Sequence, residues 1–126
     1  MKELELQILC NVYQQRNADE VDNKHIERLT ELETFINDFC AYTDVNILDL
    51  RSKDRKRYLV DLRIMISTIL RNNYKLSLQR IGMILSRDHA SIIHYLKKHD
   101  AYTDKVFGDE GYIIKYTRLK QLRIWQ

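Results

Sequence analysis

The chain has 126 residues, 44% of them hydrophobic and 31% charged, with no proline and three glycines, Gly82, Gly108 and Gly111; this balance supports one buried core and favours an all-α protein whose breaks fall to polar residues and those glycines. The net charge of +3 divides unevenly: residues 1 to 50 hold four Lys or Arg against eleven Asp or Glu, net −7, and residues 51 to 126 hold seventeen against seven, net +10. Cys10 and Cys40 stand far apart without a partner motif, which argues against a disulfide framework or a closely spaced zinc site, and no apolar run reaches bilayer length, so reduced thiols, no membrane contact and a cytoplasmic location are expected.

Leu4, Ile8, Leu9, Val12 and Tyr13 recur at helical spacing and predict a helix, although Glu3 to Ile8 alternates as a strand would. Asp22 or Asn23 can cap a second, amphipathic helix with the stripe Ile26, Leu29, Leu32, Ile36 and Phe39, widened by Phe35 and Cys40, suited to core packing or to a helix-pairing seam. Asp44 to Leu50 reads as a short helical turn. The run Arg51-Ser52-Lys53-Asp54-Arg55-Lys56-Arg57 then places five cations and one acid together. A long helix is predicted from about Tyr58 to Asn72, with Leu59, Leu62, Ile66, Ile69 and Leu70 inward. Ser77 can cap a short helix, Leu78 to Leu85, in which Gly82 lies close to its neighbours, and Asp88 can cap another running to about His99, with Ile92, Ile93 and Leu96 buried. After a loop with Gly108 and Gly111, a last helix is expected over 112–124, with Ile113, Tyr116, Leu119 and Leu122 at helical steps.

Two short helices joined by a tight turn, set against a longer helix and preceded by a basic loop, form a helix-turn-helix layout. In that layout the second helix enters the major groove of DNA, and its first turn needs polar groups that reach base edges. Arg87, Asp88, His89, Ala90 and Ser91 occupy that turn. The same Asp88, His89 and Ser91 make a poor catalytic triad, because they crowd one turn and no oxyanion site accompanies them. His89, His94 and His99 recur every five residues, which spreads them around a helix instead of stacking them as metal ligands. Neither an enzyme nor a metal protein is expected. Tyr58, Tyr74 and Tyr95 read as core rims, since they do not line one surface for stacking bases.

The segment Ser77-Leu78-x-x-Ile81-Gly82-x-x-Leu85-Ser86-Arg87-Asp88-His89-Ala90-Ser91-Ile92-Ile93-His94 resembles the signature of the C-terminal DNA-binding domain of the bacterial chromosomal replication initiator DnaA. The resemblance extends from about Tyr42 to about Asp100, and more loosely into the last helix. It implies a Trp-repressor-like helical domain over 42–126, preceded by an acidic helical extension over 1–41. Carried over by position, it implies that Arg87, Asp88, His89, Ala90 and Ser91 open the recognition helix and that Arg55 enters the minor groove. It implies further that Arg63 and Arg71 lie near the DNA and that Leu78 and Gln79 start the scaffold helix against the backbone. The chemistry fits: Asp88 can accept from a cytosine amino group, His89 and Ser91 can bond a base or a phosphate, and the Ala90 methyl can touch a thymine methyl.

This sequence departs from the family pattern in three places. Ala90 stands where Ser or Thr is usual, Tyr95 where a small residue is usual, and Ser86 alone where two glycines often precede the arginine. The sequence also has no Gly-x-x-x-x-Gly-Lys-Ser/Thr run, so no phosphate-binding loop, nucleotide or other cofactor is expected. Two functions follow. The first is sequence-specific binding of double-stranded DNA as a transcription or replication-control protein of a bacterium, phage or mobile element. The alternative is an interaction module that docks on replication proteins, or forms a homodimer, through the acidic N-terminal helices.

Overall fold

Four side chains set where helices begin. In the computed structural model, which describes residues 23–122, Asn46, Ser77, Asp88 and Asp109 accept hydrogen bonds from the backbone N–H groups of Asp49, Arg80, Ser91 and Tyr112. Each bond satisfies a donor that the first helical turn leaves without an intrahelical partner. Asn46 and Asp49 also form a reciprocal capping box. The described residues make six helices: α1 Asn23–Thr43, α2 Ile47–Arg51, α3 Arg57–Asn72, α4 Leu78–Leu85, α5 His89–Tyr102 and α6 Glu110–Gln121. The all-α class and the helix-turn-helix order are therefore as the sequence predicts. The helix expected over residues 4–13, together with Cys10, lies outside the described residues.

α3 is the central helix. It packs against α2, α4 and α5, while α6 packs on α5. Leu59, Ile64, Met65, Ile66, Ile69 and Leu70 of α3 share one core with Ile47 and Leu50 of α2, Ile81, Ile84 and Leu85 of α4, and Ile92 of α5. Leu32, Phe35, Ile36 and Phe39 of α1 belong to the same cluster, and the Phe35 ring lies 5.1 Å from that of Tyr74. Residue 41 lies inside α1, whose stripe from Leu32 to Phe39 is buried in this core. Tyr74 is half-buried there, and desolvation pushes its hydroxyl up to about 12.

Several predicted ends and faces shift, for local reasons. α5 continues past His99 to Tyr102, where Thr103 Oγ1 bonds the His99 carbonyl and helps close the last turn. α6 starts at Glu110, because Asp109 rather than a later residue supplies the cap. Ile26 and Leu122 are exposed, and Leu62 is only partly buried. The connection between α5 and α6 is tied by Asp104 Oδ1, which accepts from Val106 N and Phe107 N, and by Asp109 N bonding the Tyr102 carbonyl. A Cβ at Gly108 would overlap the Tyr102 and Asp104 carbonyl oxygens, so this crossing requires glycine. His99 Nδ1 lies 2.7 Å from Tyr112 Oη, and its ring meets Tyr112 and Tyr116 edge-on, which fastens α6 to α5.

Candidate nucleic-acid interface

The turn between α4 and α5 is short because two residues permit it. Ser86 adopts the left-handed region, at φ 55°. Its N–H then reaches the Met83 carbonyl, and Arg87 N bonds Gly82 O at 2.8 Å. This pair of bonds is a Schellman closure, which satisfies carbonyls left over at the end of α4. A Cβ on residue 82 would overlap the Arg87 carbonyl oxygen, so Gly82 lets the chain leaving the turn lie against α4. The left-handed position is one where glycine is favoured and serine carries a steric cost, which gives the departure at Ser86 a structural meaning.

α5 begins immediately after that turn. Asp88 Oδ1 accepts from Ser91 N at 2.8 Å, and this backbone bond holds the Asp88 carboxyl below its usual range. His89 and Ala90 are exposed, Ser91 is half-buried and Ile92 is fully buried. The first turn therefore presents a carboxylate, an imidazole, a methyl and a hydroxyl at one end of a helix, anchored behind by Ile92. Leu78, partly buried against the core, and exposed Gln79 open α4. Arg71, also exposed, bonds the Leu76 carbonyl at 2.9 Å across the α3–α4 connection.

The basic run sorts into two kinds of cation. Lys53, Arg55 and Lys56 are exposed on the loop between α2 and α3, with Lys56 Nζ 3.7 Å from Asp54. Arg51 and Arg57 serve the fold. Arg51 Nε bonds the Ile84 carbonyl at the end of α4, at 2.7 Å. Arg57 pairs with Asp61 at 3.0 Å and with Asp109, and its guanidinium lies 5.2 Å from the centre of the Tyr102 ring, which raises its pKa.

Arg63 and Arg87 occupy places that sequence position alone does not reveal. Arg63 is 2% exposed, so its guanidinium lies beneath the loop and not on a face open to DNA. Its Nε bonds Leu50 O at 2.8 Å, Nη1 bonds Asp54 O at 2.7 Å, and Nη2 bonds Asp49 O at 3.1 Å and Ser52 O at 2.9 Å. Asp49 and Leu50 lie in the last turn of the short α2, and Arg63 bonds the Leu50 carbonyl and shares the Asp49 carbonyl with Ser52 N. Desolvation first, and then the charge of Arg87, lower the Arg63 pKa. Arg87 Nη1 bonds the Arg51 carbonyl at 3.1 Å, with Leu85 O and Ser86 O at 3.3 and 3.2 Å, while Nη2 bonds Ser52 O. The Arg87 guanidinium is thus engaged by four backbone carbonyls, two where α2 passes into the loop and two at the end of α4 and its turn. No pattern of types or spacing announces these acceptors; only the large distance in sequence, 36 residues from Arg87 to Arg51, marks them as tertiary.

Among the described residues no group of His, Cys, Asp or Glu is placed to hold a metal ion, and no helix is long and apolar enough to cross a membrane. Comparison with known proteins gives two matches. The family model of the bacterial DnaA protein helix-turn-helix covers residues 33–98, just over half of the chain. The chromosomal replication initiator protein DnaA of Mycoplasma pneumoniae is 33% identical over 63 residues, which is 50% of this chain but only 14% of that protein. No solved structure matches.

Proposed function

The chain belongs to the bacterial DnaA helix-turn-helix family, and from that premise we propose that it binds double-stranded DNA sequence-specifically, as a transcription or replication-control protein. The observation that carries the reading is the exposed first turn of α5, which stands beside a loop bearing Lys53, Arg55 and Lys56 and bonded to the same turn. With α5 in the major groove, His89 and Ser91 bond base edges or phosphates, Asp88 accepts from a cytosine amino group, and the Ala90 methyl packs on a thymine methyl. Arg55 reaches the adjacent minor groove, and Lys53 and Lys56 neutralise phosphates. Gln79 and Arg71 flank the backbone. The hydroxyl missing at Ala90 makes the preferred site differ from that of relatives with Ser or Thr there.

The test is titration of selected duplexes by variants. His89→Ala is expected to weaken the preferred duplex about tenfold, in line with about 1–3 kcal/mol for a good base contact, and to leave random duplex nearly unchanged. Lys53→Ala is expected to weaken all duplexes alike and to reduce the slope of log affinity against log salt by about 0.9. Equal binding by His89→Ala and the unaltered protein on the preferred duplex would refute the assignment of α5.

A further inference from the structure

Ser52 O accepts hydrogen bonds from two guanidinium groups, one on α3 and one in the turn that starts α5. Two like charges meet at one carbonyl, an arrangement that persists only because further carbonyls surround them: Leu50, Asp49 and Asp54 for Arg63, and Arg51, Leu85 and Ser86 for Arg87. The lacing is also reciprocal. Arg51 sends its side chain to the Ile84 carbonyl of α4, and its own carbonyl receives Arg87. The basic loop is thereby joined to the end of α4, to the turn and to α3, so the helix-turn-helix holds its backbone path together with the loop's own Ser52 and Asp54 side chains, which accept from Asp54 N and Lys56 N.

We infer that Arg63 and Arg87 are positioning residues, which lock the basic loop to the helix-turn-helix turn so that Arg55 and the first turn of α5 engage DNA as one unit; this rests on the duplex-binding reading above. A loop held by one contact would have to be ordered when DNA arrives, at a cost in conformational entropy that the bound contacts must offset. Here Arg51, Ser52 and Asp54 are already held by carbonyl bonds in the absence of DNA. The forked, planar guanidinium is required for it, because a lysine ammonium on a flexible stem cannot address Arg51 O and Ser52 O together in fixed geometry. The role differs from a DNA contact by Arg87 itself, for which a lysine would serve phosphate as a point charge.

The experiment is a double-mutant cycle on the full chain, with Arg55→Ala, Arg87→Lys and Arg87→Met made singly and in combination, and affinities measured on the selected duplex. Circular dichroism and thermal melts establish that each variant is folded. Arg55→Ala is expected to cost about tenfold or more in the unaltered background and less than about threefold beside either Arg87 change. Arg87→Lys is expected to resemble Arg87→Met. Amide exchange of residues 52–56 in the absence of DNA should quicken in both Arg87 variants. Arg63→Met serves as a second route to the same loop, with the same loss of Arg55's contribution expected. Additive losses for Arg55 and Arg87, or near-normal binding by Arg87→Lys, would overturn the positioning role while leaving duplex binding intact. Unchanged loop exchange in both Arg87 variants would overturn it as well, independently of DNA. If the unaltered protein bound no duplex, the functional reading would fall first and this inference with it.

Discussion

Arg55, Arg63 and Arg87 carry the same charge and differ in what their guanidinium groups meet: solvent, the carbonyls beneath a loop, and the carbonyls joining that loop to a turn. An arginine's type is visible in a sequence, and its acceptors are not, because backbone carbonyls have no signature. That is why Arg63 reads as a surface cation until its burial is seen. His99 shows the same limit. Its spacing from His89 and His94 argues against a metal site, but its contact with Tyr112 comes from the docking of α6. Desolvation lowers the His99 pKa from 6.5 in the folded chain. A base with a depressed folded pKa contributes stability that is complete above its unfolded value and is lost as pH falls through the folded one. The urea midpoint is therefore expected to drop between pH 7.5 and pH 5.5, before carboxylates titrate, and His99→Gln should flatten that segment of the profile. An equal drop in His99→Gln would place the proton elsewhere.

At the scale of elements, starts were more legible than ends. Ser77 and Asp88 act within three residues of themselves, so their capping could be read directly, and α4 and α5 begin where they predict. The end of α5 depends on Thr103 and on the loop before α6, which a periodicity of apolar residues does not report. The turn between the two helices was half legible: Gly82 and Ser86 mark it, but the approach of the Arg87 carbonyl to Gly82 is tertiary. Gly82→Ala places a methyl against backbone, which cannot swing aside as a side chain can. The change is expected to cost about 2 kcal/mol or more, within the range for overpacking, as measured by denaturant unfolding. Duplex affinity should fall too if the turn opens. A neutral or stabilising effect, as glycine-to-alanine changes give in an unobstructed helix, would show that the turn is not held this closely.

At the scale of the molecule, charge among the described residues divides by element. The loop cations Lys53, Arg55 and Lys56 are exposed near the recognition turn, whereas Glu27, Glu31 and Asp38 are exposed on α1. The apolar stripe of α1 faces the shared core, so helix pairing through that stripe would compete with the fold itself. The sequence pattern alone could not decide between these uses, because an amphipathic stripe is the same whether it meets its own core or another chain. The first turn of α5 and the laced basic loop are proposed to read duplex DNA together. The decisive experiment is selection of bound duplexes from a random pool by the unaltered protein, with affinity then followed against salt. A recurrent motif of a few base pairs is expected, with a steep linear fall of log affinity with log salt at about −0.9 per phosphate contacted. Enrichment of no motif, or affinity independent of salt, would contradict the proposal.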